Sequence, residues 1–518
     1  MDTREQIELK NYNNGVVETV DLRDGNGKEE QGLSASQQQR SNGLNLSLDK
    51  YINFLPTVAF SGNLQCSWEA VAVSFQAGLL NGGPTSLVYG TLLCWIGNLA
   101  TAASIGEMAS INPTVGAQYR WSGLYAPPGI MSPAFWGLIT GWVTVFGWIA
   151  VVAQPAFLVG TIIQGLITLN VDSYVAQPWH GTMLTWAVLA VPVLCNVFAR
   201  KVLNSIEIVG GITHTAFWII WVVVLTTMAR RSSSEYVFET TYSGAAFGGW
   251  ENTAFDGVIH MSDEVRDAER KIPQSMVLSV LINGVMTFAT VIVLLFCIGD
   301  PVAALTSPTG YPVIEILREA TQSKGAATAL MLMLSWNGIV ALFSSLASIS
   351  RLTWAFARDR GLPFPTFFGA VHPRLRIPHN ALGLVVTLVV LLMLINIASL
   401  SALFAILSLA NMALYGSYLL LVTFFFLHKL RGGPLVLGPF QLGKWGYAIN
   451  VFSMVFLVFI IIWLPFPQFM PATAANMNYA GPIFGMVILL ALVDWFFWGH
   501  KRFSVPTTES VFVEEIHE

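Results

Sequence analysis

Among the carboxylates inside long apolar stretches of this chain are Glu69, Glu107, Glu207, Glu251, Asp256 and Asp494. The same stretches contain no lysine or arginine, so a site built from them favours a cation, whether a proton, a metal ion or an ammonium group. Glu107, Glu207 and Asp494 fall near the ends of their stretches, where a carboxylate reaches water or a basic residue of the adjoining loop, and Glu251 falls near the outer end of its own. Glu69 and Asp256 lie deeper, each beside an interruption of the apolar pattern. Residues 61–69 read SGNLQCSWE and residues 251–260 read ENTAFDGVIH. Within a membrane helix such a break frees backbone N–H and C=O groups to meet a substrate at mid-bilayer. The residues expected to bind substrate are thus Gln65, Cys66, Ser67 and Trp68 at the first break, where the start of the second half-helix offers free N–H groups to a carboxylate, and Asp256 and Gly257 at the second.

The elements that must position them follow from composition. Of 518 residues 54% are hydrophobic and 11% charged, which is the balance of a chain surrounded by lipid and not of a soluble globule. A net charge of −4 gives no reason to bind nucleic acid. Cys66, Cys94, Cys195 and Cys297 are widely spaced in apolar surroundings, with no pattern for zinc or for a disulfide framework; no metal and no cofactor is expected. Residues 1–50 are too polar to fold and read as a disordered cytoplasmic tail, residues 51–500 as the transporting domain and residues 501–518 as a second cytoplasmic tail.

About 20 apolar residues cross the hydrocarbon core as a helix. Twelve stretches are expected to do so: 52–80, 86–110, 134–169, 182–199, 203–228, 245–264, 274–298, 326–350, 379–397, 401–428, 445–465 and 480–499. With the N-terminus inside, every Lys and Arg falls on the cytoplasmic side except Arg230, Arg231, Arg318 and Lys324, which supports both the number and the orientation. The two breaks are five helices apart. A repeat of spans one to five on six to ten, followed by two extra helices, brings them side by side.

Several runs carry a family likeness: FDGVIHMSDEV at 255–265 with Asp267, Ala268, Ile272 and Pro273 after it, GLLNGGP at 78–84, GEM at 106–108, PTVGAQY at 113–119, APP at 126–128 and WAFARDRGLP at 354–363. In these the chain resembles the fungal amino acid/choline transporter family of the amino acid-polyamine-organocation superfamily, over about residues 61–498. The resemblance implies an all-α membrane protein of the leucine-transporter type, with an inverted five-plus-five helix repeat and two C-terminal helices. It implies a secondary active permease importing amino acids or related small amines by alternating access, coupled to protons as a symporter, in the plasma membrane. It also implies that an aromatic residue early in helix six closes over the substrate, Trp250 or Phe255 by position, and that Asp256 takes part in substrate or proton binding; with Glu69 it is the candidate for the coupling proton. Helix five lacks the lysine that replaces sodium in some relatives, and offers Glu207 and His214 instead, with His214 read as a satisfied interior histidine. Ser344, Ser345 and Ser348 are read as hydroxyls bonding between helices rather than as a sodium site.

Choline, 4-aminobutyrate and polyamines stay open as substrates; choline needs an aromatic cage, for which Trp68, Trp250, Phe255 and Trp336 are available. The chain carries no H-E-x-x-H, no G-x-S-x-G and no phosphate loop, so an enzyme is not expected. A nutrient sensor on the same fold is the alternative from another class, distinguished by binding without flux.

Overall fold

The computed structural model describes residues 54–80, 82–241, 267–398, 401–432, 437–466 and 477–505. The expected tail 1–50, the sixth span at 245–264 and most of the C-terminal tail lie outside the described residues. The first expected span is two helices, α1 (Phe54–Gln65) and α2 (Ser67–Leu80). They are followed by α3 (Gly83–Ile111), the short α4 (Ala117–Leu124), α5 (Pro133–Asn170), α6 (Pro178–Phe198) and α7 (Arg200–Met228). Further along come α8 (Ala268–Phe296), the peripheral α9 (Pro312–Thr321), α10 (Lys324–Arg358), α11 (His379–Met393), α12 (Ser401–Leu430), α13 (Gly446–Trp463) and α14 (Ala480–Asp494).

Among the described residues nine helices are long and apolar enough to cross a membrane. The stretch expected at 379–397 forms α11 of 15 residues and, after Leu394 in helical conformation, a four-residue helix, Ile395–Ala398. Local signals set the longest elements. Ser132 accepts a hydrogen bond from Phe135 N at 3.2 Å and Pro133 opens α5, while Ser323 caps α10 through Ala326 N at 3.3 Å.

The interior is made by α5, α10 and α12, 61–67% buried along their apolar lengths, while α7, α13 and α14 are only 22–28% buried among the described residues. α1 packs against α7, α8 and α10, and α2 packs against α8. α7 is thus half lipid-facing, and Glu207, Gly210, His214, Trp221 and Leu225 share its inward side. Gly210 makes that approach possible. A Cβ there would stand 2.4 Å from Val340 and 2.7 Å from Asn63 Nδ2.

Two carboxylates near helix ends meet bases as expected. Glu107 pairs with Lys429 and accepts from Leu442 N at 3.4 Å, and Asp494 accepts from Arg502 Nη2 at 2.6 Å and Trp142 Nε1 at 3.1 Å. Packing continues beyond residue 500, since Phe503 is buried against Tyr119 and Phe356.

Two predictions follow from this architecture. Cys66, between α1 and α2, has φ +43°, a left-handed value that costs an L side chain about 1–2 kcal/mol. Cys66→Gly is expected to match or exceed the wild-type melting temperature in detergent, and Cys66→Val to fall clearly below it. Lys429→Ala strands the buried Glu107 carboxylate and is expected to cost about 3–5 kcal/mol. The double change Glu107→Gln with Lys429→Met should recover most of that loss in the same melting assay.

Candidate functional site

The break is a single residue wide. Cys66 N still donates to Asn63 O at 3.2 Å, and Ala70 N to Cys66 O at 3.0 Å, so α2 starts at once in a new direction. The left-handed turn at Cys66 places Gln65 at the end of α1 and Glu69 in the first turn of α2, where the positive end of the helix dipole favours a carboxylate.

Three helices close around this turn with polar side chains. From α7, His214 Nδ1 lies 2.8 Å from Glu69 Oε1, and its Nε2 lies 2.8 Å from Asn283 Oδ1 on α8. From α10, Asn337 Nδ2 donates to the same Glu69 Oε1 at 2.8 Å. Ser67 Oγ donates to Asn283 Oδ1 at 2.8 Å, while Asn283 Nδ2 donates to Gly62 O at 3.3 Å and Gln65 Oε1 at 3.2 Å. Ser279, one turn before Asn283, accepts from Gln65 Nε2 and bonds Ser61 Oγ, both at 2.8 Å.

A separate group lies two turns along α7. Glu207 is buried, bonded to Ser344 Oγ at 2.8 Å and to Asn63 Nδ2 at 3.1 Å. The expectation that Glu207 reaches water or a loop base does not hold. Its place on the inward side of α7 points it at α1 and α10, and neutral groups satisfy it.

On the far side of the break from α8 lies a cavity of about 50 Å³, walled by Gln65, Cys66 and Glu69 from the break, Val151 and Pro155 from α5, and Ser345 from α10 among others. Glu69 is 2% exposed, and with Oε1 taken twice its Oε2 has no hydrogen-bond partner among the described residues. That is an expensive arrangement unless a ligand completes it. Across the cavity Pro155 sits inside α5 with no N–H, so the Val151 carbonyl lacks its i+4 donor. Glu69 and Val151 both border this small, mostly apolar cavity, together with Gln154 and Asn411.

Of the residues expected to bind substrate, Gln65 and Cys66 line this cavity, as does Glu69. Ser67 turns to Asn283, lining a second cavity of about 50 Å³ between α3 and α8. Trp68 is fully buried, edge-on to Trp221 at 5.4 Å and tilted to His214 at 6.3 Å. Trp336 is 39% exposed and donates to Thr213 Oγ1 at 3.1 Å. No aromatic ring lines the first cavity among the described residues. Trp250, Phe255, Asp256 and Gly257 lie outside the described residues. Ser344 bonds Glu207 and Ser345 borders the cavity, and no cluster of His, Cys, Asp or Glu suited to a metal occurs among the described residues.

Sequence reasoning did not single out Asn63, Asn283 and Asn337. The signal for Asn283 is a polar ladder, Ser275, Ser279, Asn283 and Thr287, repeating every four residues along one face of an otherwise apolar α8.

Residues 52–489 match the family model described as amino acid permease. A protein of Macrophomina phaseolina assigned as an amino acid/polyamine transporter is 28% identical over 82% of this chain and 96% of its own length. A choline transporter of Saccharomyces cerevisiae is 27% identical over 84% of this chain and 79% of its own, and an amino-acid permease of Arabidopsis thaliana is 24% identical over 90% and 94%. With its polar break sealed inside a bundle of apolar spans, this chain belongs to the amino acid permease family: it is a multi-pass membrane transporter and not an enzyme.

Proposed function

We propose that the protein is a secondary active permease that imports amino acids or related small amines by alternating access, coupled to protons. The observation that carries this reading is the Glu69 carboxylate, buried at a one-residue helix break beside a cavity, with one oxygen bonded twice and the other without a hydrogen-bond partner among the described residues. A carboxyl group on the substrate would approach the first N–H groups of α2, next to Gln65, Cys66, Ser67 and Trp68, where the helix dipole is positive. The substrate's ammonium would lie on the acidic side of the cavity.

The second wall is assigned to span six, with Trp250 or Phe255 closing over the substrate and Asp256 and Gly257 at its break. This follows from the wider arrangement proposed for the chain: twelve spans, an inverted repeat of five on five and two additional helices, both termini in the cytoplasm and residence in the plasma membrane. Support comes from the relatives' names, from the one-sided distribution of Lys and Arg, and from the position of the first break five spans before the second. Glu69 and Asp256 are the proposed carriers of the coupling proton.

The test is uptake of radiolabelled amino acids, 4-aminobutyrate, choline and a polyamine by transport-deficient yeast expressing the chain, with and without collapse of the proton gradient. Saturable uptake of one class that disappears with the gradient is expected. Glu69→Gln, at equal surface expression, should weaken uptake by at least about thirtyfold, since losing one partner of a buried charged contact costs 2 kcal/mol or more. Binding without flux would establish a sensor instead, and undiminished uptake by Glu69→Gln would remove Glu69 from the site.

A further inference from the structure

The hydrogen bonds around His214 fix where its protons sit. Gly62 O is a backbone carbonyl and only accepts, and Asn283 Nδ2 lies 3.3 Å from it and 3.2 Å from Gln65 Oε1, so both amide hydrogens of Asn283 point at α1. Its Oδ1 is therefore the acceptor for Ser67 Oγ and for His214 Nε2, both at 2.8 Å. Nε2 of His214 thus carries hydrogen. A neutral imidazole would then have a bare lone pair at Nδ1, facing Glu69 Oε1 at 2.8 Å, and two lone pairs at that distance repel. One more proton must lie between the two atoms.

Three features place that proton on the ring. Asn337 Nδ2 also donates to Oε1, at 2.8 Å, which favours the ionised carboxylate. Glu69 stands in the first turn of α2, where the helix dipole favours a negative charge. Both ring nitrogens of His214 face oxygen acceptors, which is the bonding pattern of an imidazolium. The pair is buried and has net charge zero, so removing its proton in place would leave an uncompensated carboxylate.

Other charges are held away from it. Glu207, two turns along α7, is closed by Ser344 and Asn63. Glu107 of α3 is paired with Lys429, and on α9 Glu315 pairs with Arg318 while Glu319 accepts from Asp300 N at 3.3 Å. The charges of α8 lie at Glu269 to Lys271 and those of α10 at Lys324, Arg351 and Arg358, each more than three turns from Asn283 or Asn337. Asp256 lies outside the described residues.

Resting on the transport reading above, we propose that His214 and Glu69 together form the site of the coupling proton, carried on His214 Nδ1 while α2 and α7 are in contact and given up when they part. The two groups stand on different helices, and α2 begins at the turn at Cys66, so a swing of α2 about that turn separates Oε1 from Nδ1. On release the N–H bond at Nδ1 breaks, its electron pair stays on the nitrogen and the proton passes to water. A neutral imidazole and a hydrated carboxylate remain. Proton movement is tied in this way to movement of the break itself.

The test uses the full chain in proteoliposomes with a pH-sensitive dye trapped inside, and alanine, 4-aminobutyrate and choline as the compounds supplied. For whichever compound enters, accumulation driven by an inward proton gradient, with the dye following proton entry, is compared with exchange of internal for external compound without a gradient. In His214→Gln, whose amide donates to Glu69 but holds no extra proton, accumulation and proton entry are expected to fall at least about tenfold more than exchange. A variant that keeps the wild-type ratio of accumulation to exchange, or loses both equally, overturns the assignment while the chain stays a transporter. A second measurement needs no variant to fold. With isotope-labelled histidine in the wild-type chain, at a pH where exposed imidazoles are neutral, the nitrogen NMR spectrum is expected to show a ring with hydrogen on both nitrogens, and its absence overturns the assignment. Accumulation by the wild type without proton entry overturns the coupling reading and this assignment with it, and failure of all the compounds to enter overturns the transport reading as well.

Discussion

A helix that stops inside a bilayer must find partners for its freed backbone within the protein, because lipid offers none. The turn at Cys66 is where this chain meets that constraint, and much of the surrounding structure follows from it. Gly62 O receives Asn283 Nδ2, Asn63 O receives Cys66 N, and Gln65 is held by Ser279 and Asn283. For those partners to arrive, α8 must turn a polar ladder towards α1, α10 must place Asn337 and Ser344 on its inward face, and α7 must come close enough that Gly210 has no room for a methyl group. The lining of the break and the lining of the cavity are therefore one network.

The far end of the bundle is built on the opposite principle. There the short α4 is pinned by full charges: Asp359 Oδ2 accepts from Tyr119 OH at 2.6 Å and from Arg120 Nε at 2.9 Å, with Arg120 Nη2 at 2.8 Å, while Arg120 Nη1 donates to Thr114 Oγ1 at 2.6 Å. Burial, and then the charge of Asp359, push the Tyr119 phenol far above its ordinary range, so it remains a donor in this contact. Glu107 with Lys429 and Asp494 with Arg502 continue the same end. Ion pairs fasten the loops to the helix ends, whereas amides and hydroxyls cover the break. Neutral hydrogen bonds exchange partners at lower cost than buried ion pairs, which suits the part of the molecule that borders the cavity.

What the sequence disclosed follows the same division. The break at 61–69 was legible because small and polar residues interrupt an apolar run, and Glu107 and Asp494 were legible because basic residues lie across the adjoining loops. The long spans appeared from hydropathy alone. Glu207 was misread because distance from a helix end was taken as exposure; which face of α7 turns inward depends on Gly210 meeting Asn63 and Val340, a contact between residues far apart in the chain. Asn63, Asn283 and Asn337 escaped for a related reason. A single amide in an apolar span satisfies itself in many ways, and only the fold shows that Asn283 and Asn337 converge, through His214, on one carboxylate.

The same network bears on why the charged groups are there at all. A buried carboxylate beside a histidine gains little over well-packed apolar side chains of the same size, because desolvation offsets most of the attraction. Fold stability alone would be served as well by leucine and phenylalanine at positions 69 and 214. The particular geometry points elsewhere: Oε1 is held by two donors at 2.8 Å, yet Oε2 of the same group has no hydrogen-bond partner among the described residues. At Glu207, two turns away, the neutral Ser344 and Asn63 satisfy both oxygens. Two buried carboxylates on the same inner wall thus differ in one respect. Glu207 is closed on itself and ties α1, α7 and α10 together, whereas Glu69, at the turn between α1 and α2, keeps one oxygen without a partner among the described residues.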